Sequence, residues 1–266
     1  MLRATDTSGL IYHYTSAAIA IEFILYDMQI RMGPLSDTND PAEDGLPSPV
    51  LGERREDGKE RADLFFDLET TMAGRKLACF SRDSRAPYSA YDPLSARGYG
   101  RDRMWAQYAD NHKGVCLFFD RERLETNFRS QMDGNGIALA GPVTYERDVP
   151  LAPLDFDQGN LEQQCVEIVQ KRSFTKLQDW TSEQEYRFLL VAAASTSPLY
   201  EYVSICGALV AICLGHRFPR ALFPCIRDVC DRERIPALRL NYYGSPQVGR
   251  FYPPDDTLPL RIPPAQ

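Results

Sequence analysis

The chain lacks the sequence features of several large protein classes. Its longest apolar runs, LLVAAA and ALVAICLG, are far shorter than the roughly 20 residues that span a bilayer. It has seven cysteines without a C-x-x-C pair and only three histidines, which disfavours a structural zinc site. No basic start followed by an apolar core opens the sequence, so we expect a cytoplasmic protein with reduced thiols and no membrane partner.

Common nucleotide-binding and hydrolase fingerprints are also missing. The sequence contains no G-x-x-x-x-G-K-[ST], no G-x-G-x-x-G and no G-x-S-x-G, which disfavours P-loop, dinucleotide-fold and common serine-hydrolase proteins. The net charge of −7 and the pI near 5.1 argue against broad electrostatic capture of nucleic acid. A local basic groove stays open.

The segments that remain predict a globular α+β protein. At 266 residues and 44% hydrophobic, the chain can bury a sizeable core. Strand and helix patterns follow one another without a steady βαβ order, which favours α+β over a doubly wound sheet. We predict a single domain over residues 1–266, with a core at about 10–243 and a C-terminal tail at 244–266.

Several elements can be placed from local patterns. Leu10–Thr15 reads as a strand, after which Thr15 or Ser16 can cap a helix. The segment from Glu53 to Ala73 looks helical, and DRMWAQYADNHKG predicts a helix that Gly114 ends. Four cysteines in apolar runs are expected to be buried hydrophobes: Cys79, Cys116, Cys206 and Cys213.

Two carboxylates open a strongly apolar strand in TSEQEYRFLLV. Residues two apart in a strand share a face, so Glu183, Glu185 and Arg187 are predicted on one side. One interpretation is an exposed strand end with a weak ion pair. The other is a pair of acids that stabilises a developing cation, as in glycosyl chemistry.

A second candidate is YHYTS, where His13 and Thr15 share one strand face while Tyr12 and Tyr14 take the other. An isolated histidine is more often structural than catalytic. A third is the aromatic stripe after Arg101. Trp105 is expected in the core, whereas Tyr108 fits either the core or a wall for a planar ligand.

The acidic segment NDPAED reads first as a turn that Asp40 can cap. The alternative is a metal-dependent nuclease that uses Asp40, Glu43 and Asp44, together with His112. The D-x-D-x-D-G calcium spacing is absent, so the turn is favoured.

Taken in order, several of these segments resemble a bacterial family of unknown function, domain of unknown function 2971. The matching segments are YHYTS, NDPAE, CFSRD, MWAQYADNHKGVCLFFD, the lysine at 176 before WTSEQEYR, and ICLG. They cover about residues 10–215, and the combination of MW..YA..H.G with W..E.EYR is specific. This resemblance supplies no function.

The order His-x-Thr, helix and late Glu strand is also similar to the ADP-ribosyltransferase superfamily, notably its DNA-modifying toxin and tRNA 2′-phosphotransferase branches. That similarity implies a split β-sheet core flanked by helices, with NAD as the substrate. Glu185 would stabilise the ribosyl cation and Glu183 would orient or deprotonate the acceptor. The residues implied to bind NAD are His13, Thr15, Tyr14, Ser81 and Tyr108.

The implied function is transfer of ADP-ribose to a nucleic acid or protein, or hydrolysis of NAD, in a bacterial defence or toxin system. A non-catalytic sensor or binding module with the same fold is the main alternative, because the extended loops at residues 33–52 and 82–100 offer recognition surfaces. The metal-dependent nuclease comes third.

Overall fold

A computed structural model describes residues 9–40, 43, 70–71, 73–84, 93–148, 161–192, 198–242 and 246–252. Within them the strands are β1 (Leu10–Thr15), β2 (Gln29–Pro34), β3 (Arg75–Arg82), β4 (Val115–Asp120), β5 (Ile137–Pro142), β6 (Thr144–Glu146), β7 (Thr175–Leu177), β8 (Glu185–Val191), β9 (Glu201–Ser204), β10 (Leu209–Leu214), β11 (Ala237–Tyr242) and β12 (Pro246–Tyr252).

The longer helices are α1 (residues 17–27), α2 (Asp102–Tyr108), α3 (Arg121–Met132), α4 (Leu161–Ser173) and α5 (Phe223–Glu233). Helix α1 consists of α-helical turns at Ala17–Ile19 and Leu25–Asp27 around a π-helical turn at Ala20–Ile24. Short 3₁₀ helices lie at Leu35–Asp37, Pro93–Ala96, Gln178–Glu183 and Arg220–Leu222. The mixed class of sheet and helices, predicted as one domain, is confirmed.

Ten strands form one mixed sheet that divides at β3. One side runs β12-β11-β10-β4-β1-β3, β8 and β5 continue beyond β3, and β2 and β9 form a separate branch. Every neighbouring pair is antiparallel except β10 and β11. Strands β6 and β7 form a separate parallel pair.

The division arises because β1 and β2 share one edge of β3. Strand β8 pairs with the whole of the other edge, from Arg75 to Ser81. On the shared edge, β1 pairs with residues 81–82 and β2 with residues 76–77. Within the described residues no ladder pair joins residues 78–80 to either strand. We call this opening between β1 and β2 the fork.

Apolar residues cover both faces of the sheet. Because neighbouring residues in a strand point to opposite faces, Ile11, Leu117 and Phe119 join one cluster, whereas Tyr12 and Phe118 join another. The larger cluster also takes the buried side of α1, α3 and α5. Burial on both faces fixes the strands on which the fork depends.

Helix α1 follows its predicted pattern. The Ser16 hydroxyl accepts a hydrogen bond from Ile19 N at 3.2 Å, which caps the helix. Ile24 and Leu25 are buried, and the helix ends where Met28 adopts the left-handed conformation with φ 52°. The opposite side carries exposed apolar side chains at Ile19, Phe23 and Tyr26.

Helix α2 ends earlier than predicted. It stops at Tyr108, and Asp110, Asn111 and His112 have positive φ angles of 44°, 49° and 69°. Asp and Asn tolerate this conformation better than most residues, so DNH forms a left-handed turn where we expected helix. Trp105 is completely buried, which confirms its expected place in the core.

Gly114, which follows this turn, packs against the backbone of β1. A Cβ at this position would lie 2.1 Å from Thr15 O, an atom held in the sheet. We therefore expect Gly114→Ala to lower the free energy of unfolding by about 1–3 kcal/mol. Chemical denaturation measures this loss. The control is Gly249→Ala on β12, where the added methyl meets open space; equal stability of the two variants would contradict the expectation.

Some sequence expectations differ from the structure or lie outside it. Cys116 and Cys213 are buried as expected, but Cys206 is exposed because it lies in the β9–β10 connection and not in a strand. Most of the predicted helix from Glu53 to Ala73 lies outside the described residues. Residues 246–252, expected in the tail, form β12 against β11. In the described part, no helix combines the length and apolarity needed to cross a membrane.

Candidate functional site

A cavity of about 420 Å³ occupies the fork, within the usual range for small-molecule sites. Its walls come from β1, β2, the middle of β3, the 3₁₀ segment at Leu35–Asp37, and α2. Charged side chains from β2, β7 and β8 add to the wall: Arg31, Lys176, Glu185 and Arg187. The cavity therefore combines apolar surface with charges of both signs.

Five of the seven residues predicted for the site line this cavity: His13, Tyr14, Ser81, Tyr108 and Glu185. Thr15 and Glu183 are buried but do not line it. The chain thus brings His13 and Glu185, which are separated by more than half of its length, to one cavity.

His13 reaches the cavity through the fork. Strand alternation places His13 and Glu185 on opposite faces of the sheet, yet both meet the opening where β1 leaves β3. His13 Nδ1 lies 3.0 Å from Cys79 O, and a carbonyl only accepts, so Nδ1 carries the hydrogen. Burial lowers the pKa of His13, although the bond to Cys79 opposes this. The neutral ring leaves Nε2 as an acceptor.

The hydroxyl groups of the other lining residues already have partners. Tyr14 Oη donates to Gly98 O at 2.6 Å. Ser81 Oγ donates to Glu183 O at 2.6 Å. Tyr108 Oη donates to Glu183 Oε1 at 2.6 Å. Tyr14 and Tyr108 can therefore offer a ligand mainly their ring surfaces, whereas Ser81 fixes the backbone that precedes β8.

The predicted strand face shared by Glu183 and Glu185 is wrong. Glu183 ends the 3₁₀ helix Gln178–Glu183, and Gln184 has φ 47°, so the chain turns before β8 begins at Glu185. The interpretation as an exposed strand end is also wrong, because Glu183 is 0% and Glu185 6% exposed. The predicted pair of Glu185 with Arg187 forms, with Arg187 Nε 2.5 Å from Glu185 Oε2.

Five charged side chains form a buried ion cluster: Glu43, Lys176, Glu183, Glu185 and Arg187. Lys176 Nζ lies 2.9 Å from both Glu183 Oε2 and Glu185 Oε1. Arg187 bonds Glu185 through Nε, Ser173 O through one terminal nitrogen at 2.7 Å, and Glu43 Oε1 through the other. These contacts fix the carboxylates at the cavity wall.

The two acids of the EQE segment have opposite pKa shifts. Burial raises the pKa of Glu183 to about 7, and the neighbouring Glu185 charge adds to this. Burial alone would raise the pKa of Glu185 too, but Arg187 and Lys176 outweigh it and lower that pKa to about 2. If all members were ionised, three carboxylates would face two cations. A proton on Glu183 balances the buried ion cluster.

These shifts predict an unusual stability profile. The folded protein binds the Glu183 proton more tightly than the unfolded chain, so this contribution is full below pH 4.5 and is lost as pH rises towards 7. The Glu185 contribution is full above pH 4.5 and is lost as pH falls towards 2.

Glu183→Gln isolates the first of these contributions. We expect wild type to lose about 3 kcal/mol of unfolding free energy between pH 4.5 and 8, and the variant to lose little of it. Urea denaturation across this range measures both, and Glu122→Gln on the exposed side of α3 is the control. Parallel profiles for wild type and Glu183→Gln would contradict the assigned proton.

Two members of the buried ion cluster were not predicted as site residues. Lys176 precedes the WTSEQEYR segment, and Glu43 belongs to the NDPAED segment that was assigned to a turn. A lysine shortly before two acids was the one local signal for Lys176. Nothing local connects Glu43 with Arg187, because the two are 144 positions apart.

The alternative nuclease residues do not come together. Glu43 lines the cavity, whereas His112 stacks on Trp105 with ring centroids 6.2 Å apart, and Asp44 lies outside the described residues. In the part of the chain that is described, no group of three or more His, Cys, Asp or Glu side chains is placed to hold a metal ion.

The segment from α2 to the middle of β8 has a recognised sequence pattern. Residues 104–188 match the model of a family described as "Protein of unknown function (DUF2971)". This match supports the family resemblance expected from the sequence, over less than half of the chain. It includes Tyr108, Lys176, Glu183, Glu185 and Arg187. No curated protein and no solved structure matches the chain.

Proposed function

We propose that this protein is an NAD-dependent ADP-ribosyltransferase-like enzyme, which cleaves the bond between nicotinamide and ribose and transfers ADP-ribose to a nucleic acid or protein. The observation that carries the proposal is the convergence of His13, on β1, and Glu185, on β8, at one cavity in a divided sheet. A split sheet is also what the superfamily resemblance implies.

The charges at the cavity suit this chemistry. Departure of nicotinamide leaves positive charge on the ribose, and a carboxylate held beside it stabilises that charge. The low pKa of Glu185 keeps it ionised at neutral pH, and Lys176 and Arg187 hold its position. Each carboxylate oxygen can accept a second hydrogen bond, so Glu185 keeps capacity for the ribose 2′-hydroxyl.

Other cavity residues would bind the rest of the dinucleotide. His13 Nε2 is free to accept from a ribose hydroxyl, because Nδ1 is already bonded to Cys79 O. Arg31 lines the cavity from β2 and would face the pyrophosphate. The Tyr108 ring would pack on nicotinamide. Glu183 lies behind the wall and would act through Tyr108 and Lys176, and so not directly on the acceptor.

The test is an assay of wild-type protein with NAD labelled on the adenylate side. We expect nicotinamide release, and transfer of label to DNA, RNA or protein when the right acceptor is present. Release without transfer identifies an NAD glycohydrolase that uses water as acceptor. Absence of both NAD binding and nicotinamide release would rule out the proposed activity.

A non-catalytic binding module is the second candidate, and one observation favours it. Both oxygens of Glu185 already bond the protein's own side chains, Lys176 and Arg187. Such a site can hold a nucleotide without cleaving it. NAD that binds and is recovered intact after long incubation would support this candidate over the enzyme.

A further inference from the structure

Glu43 is the part of the buried ion cluster that the proposed chemistry does not use. Its Oε1 accepts from Arg187 and lies 3.9 Å from Lys176 Nζ. Its backbone oxygen accepts from Arg75 at 3.3 Å. The side chain is therefore fixed at the cavity wall by three cations.

The second carboxylate oxygen of Glu43 has no hydrogen-bond partner within the described residues. The residue is only 7% exposed and lines the cavity. A buried polar atom without a partner is costly, and native proteins rarely keep one without a functional reason. The cavity is the open space from which a donor can reach this oxygen.

The donor is best a neutral hydroxyl group. A metal ion or ammonium group would approach Arg187 and Lys176 at close range and be repelled. Arg187 bonds Glu185 through Nε and Glu43 through a terminal nitrogen, so one guanidinium holds both carboxylates next to each other. Two adjacent acceptors match the two neighbouring hydroxyls of a cis-diol.

We propose that Glu43 Oε2 accepts a hydrogen bond from the 3′-hydroxyl of the nicotinamide ribose, beside the 2′-hydroxyl that Glu185 receives. This inference rests on the proposed function and assigns Glu43 the recognition of ribose over deoxyribose-like sugars. The ligand class is a nucleotide that carries an intact 2′,3′-cis-diol at the buried end.

The experiment compares two ligands and three proteins by titration calorimetry. The ligands are NAD and an NAD analogue that lacks the 3′-hydroxyl on the nicotinamide ribose. The proteins are wild type, Glu43→Gln and the control Asp37→Asn, which removes a negative charge from an exposed residue of the same cavity. We expect Glu43→Gln to weaken NAD binding about 10- to 100-fold and to leave the analogue unchanged. Asp37→Asn should affect both ligands alike.

Wild type alone gives a second readout that does not depend on how well the variant folds. Loss of the 3′-hydroxyl should weaken binding to wild type by the same 10- to 100-fold. Equal affinity of wild type for NAD and the analogue, or an equal loss for both ligands in Glu43→Gln, would overturn the role of Glu43 while nicotinamide release still supports the enzyme. Failure of wild type to bind either ligand would overturn both proposals.

Discussion

Glu185→Gln is expected to lower the rate of nicotinamide release by about 100- to 1,000-fold. The substitution keeps the size of the side chain but removes the charge that would stabilise the ribosyl cation. The low pKa of Glu185 means that this charge is present throughout the neutral range. The rate of nicotinamide release at saturating NAD measures the effect, because NAD binding then no longer limits the rate.

Glu122→Gln is the matched control, because Glu122 is an exposed residue in the first turn of α3, outside the cavity wall. Glu185→Gln also removes a partner from Lys176 and Arg187, so its unfolding transition must be measured and the assay run where the variant is folded. If a folded Glu185→Gln protein releases nicotinamide as fast as wild type, Glu185 does not stabilise the transition state.

Arg187→Met is expected to lower the free energy of unfolding by about 3–5 kcal/mol. Arg187 is 0% exposed, and its guanidinium bonds Glu185, Glu43 and Ser173 O. Without it, two buried carboxylates would share the single cation Lys176, and Ser173 O would lose its donor. Removal of one partner from a buried pair costs far more than the pair itself contributes.

The control for this prediction is Arg129→Met on α3. Arg129 is exposed and lies 3.9 Å from Glu125, so its loss is expected to cost at most about 1 kcal/mol. Denaturation with urea near pH 6 compares the two variants. A loss for Arg187→Met no larger than that for Arg129→Met would mean that the buried ion cluster does not hold this part of the sheet together.

The local parts of the fold were readable from the sequence, because burial and capping act over a few residues. Leu10–Thr15 and Val115–Asp120 form the apolar strands β1 and β4, and Ser16 caps α1. The end of α2 was misjudged because apolar spacing continued to His112. The Asp-Asn-His run before Gly114 was the signal for a left-handed turn, since Asp and Asn adopt that conformation more readily than other residues.

The site could be predicted only in part, because its charges meet across long stretches of chain. The pattern around His13 and Glu185 identified two cavity residues from opposite ends of the sequence. Their neighbours Glu43 and Lys176 join through tertiary contacts that local spacing does not encode. The burial of Glu183 was missed because EQE reads as continuous strand, whereas Gln184 turns the chain there.

The measurement that tests the central claim most directly is a crystal structure of the wild-type protein with an NAD analogue whose nicotinamide–ribose bond cannot be cleaved. The analogue should occupy the fork between β1 and β2, with a ribose hydroxyl within hydrogen-bond distance of Glu185 and His13 Nε2 facing a hydroxyl of the dinucleotide. An analogue bound elsewhere, or a fork that stays empty at saturating concentration, would contradict the account.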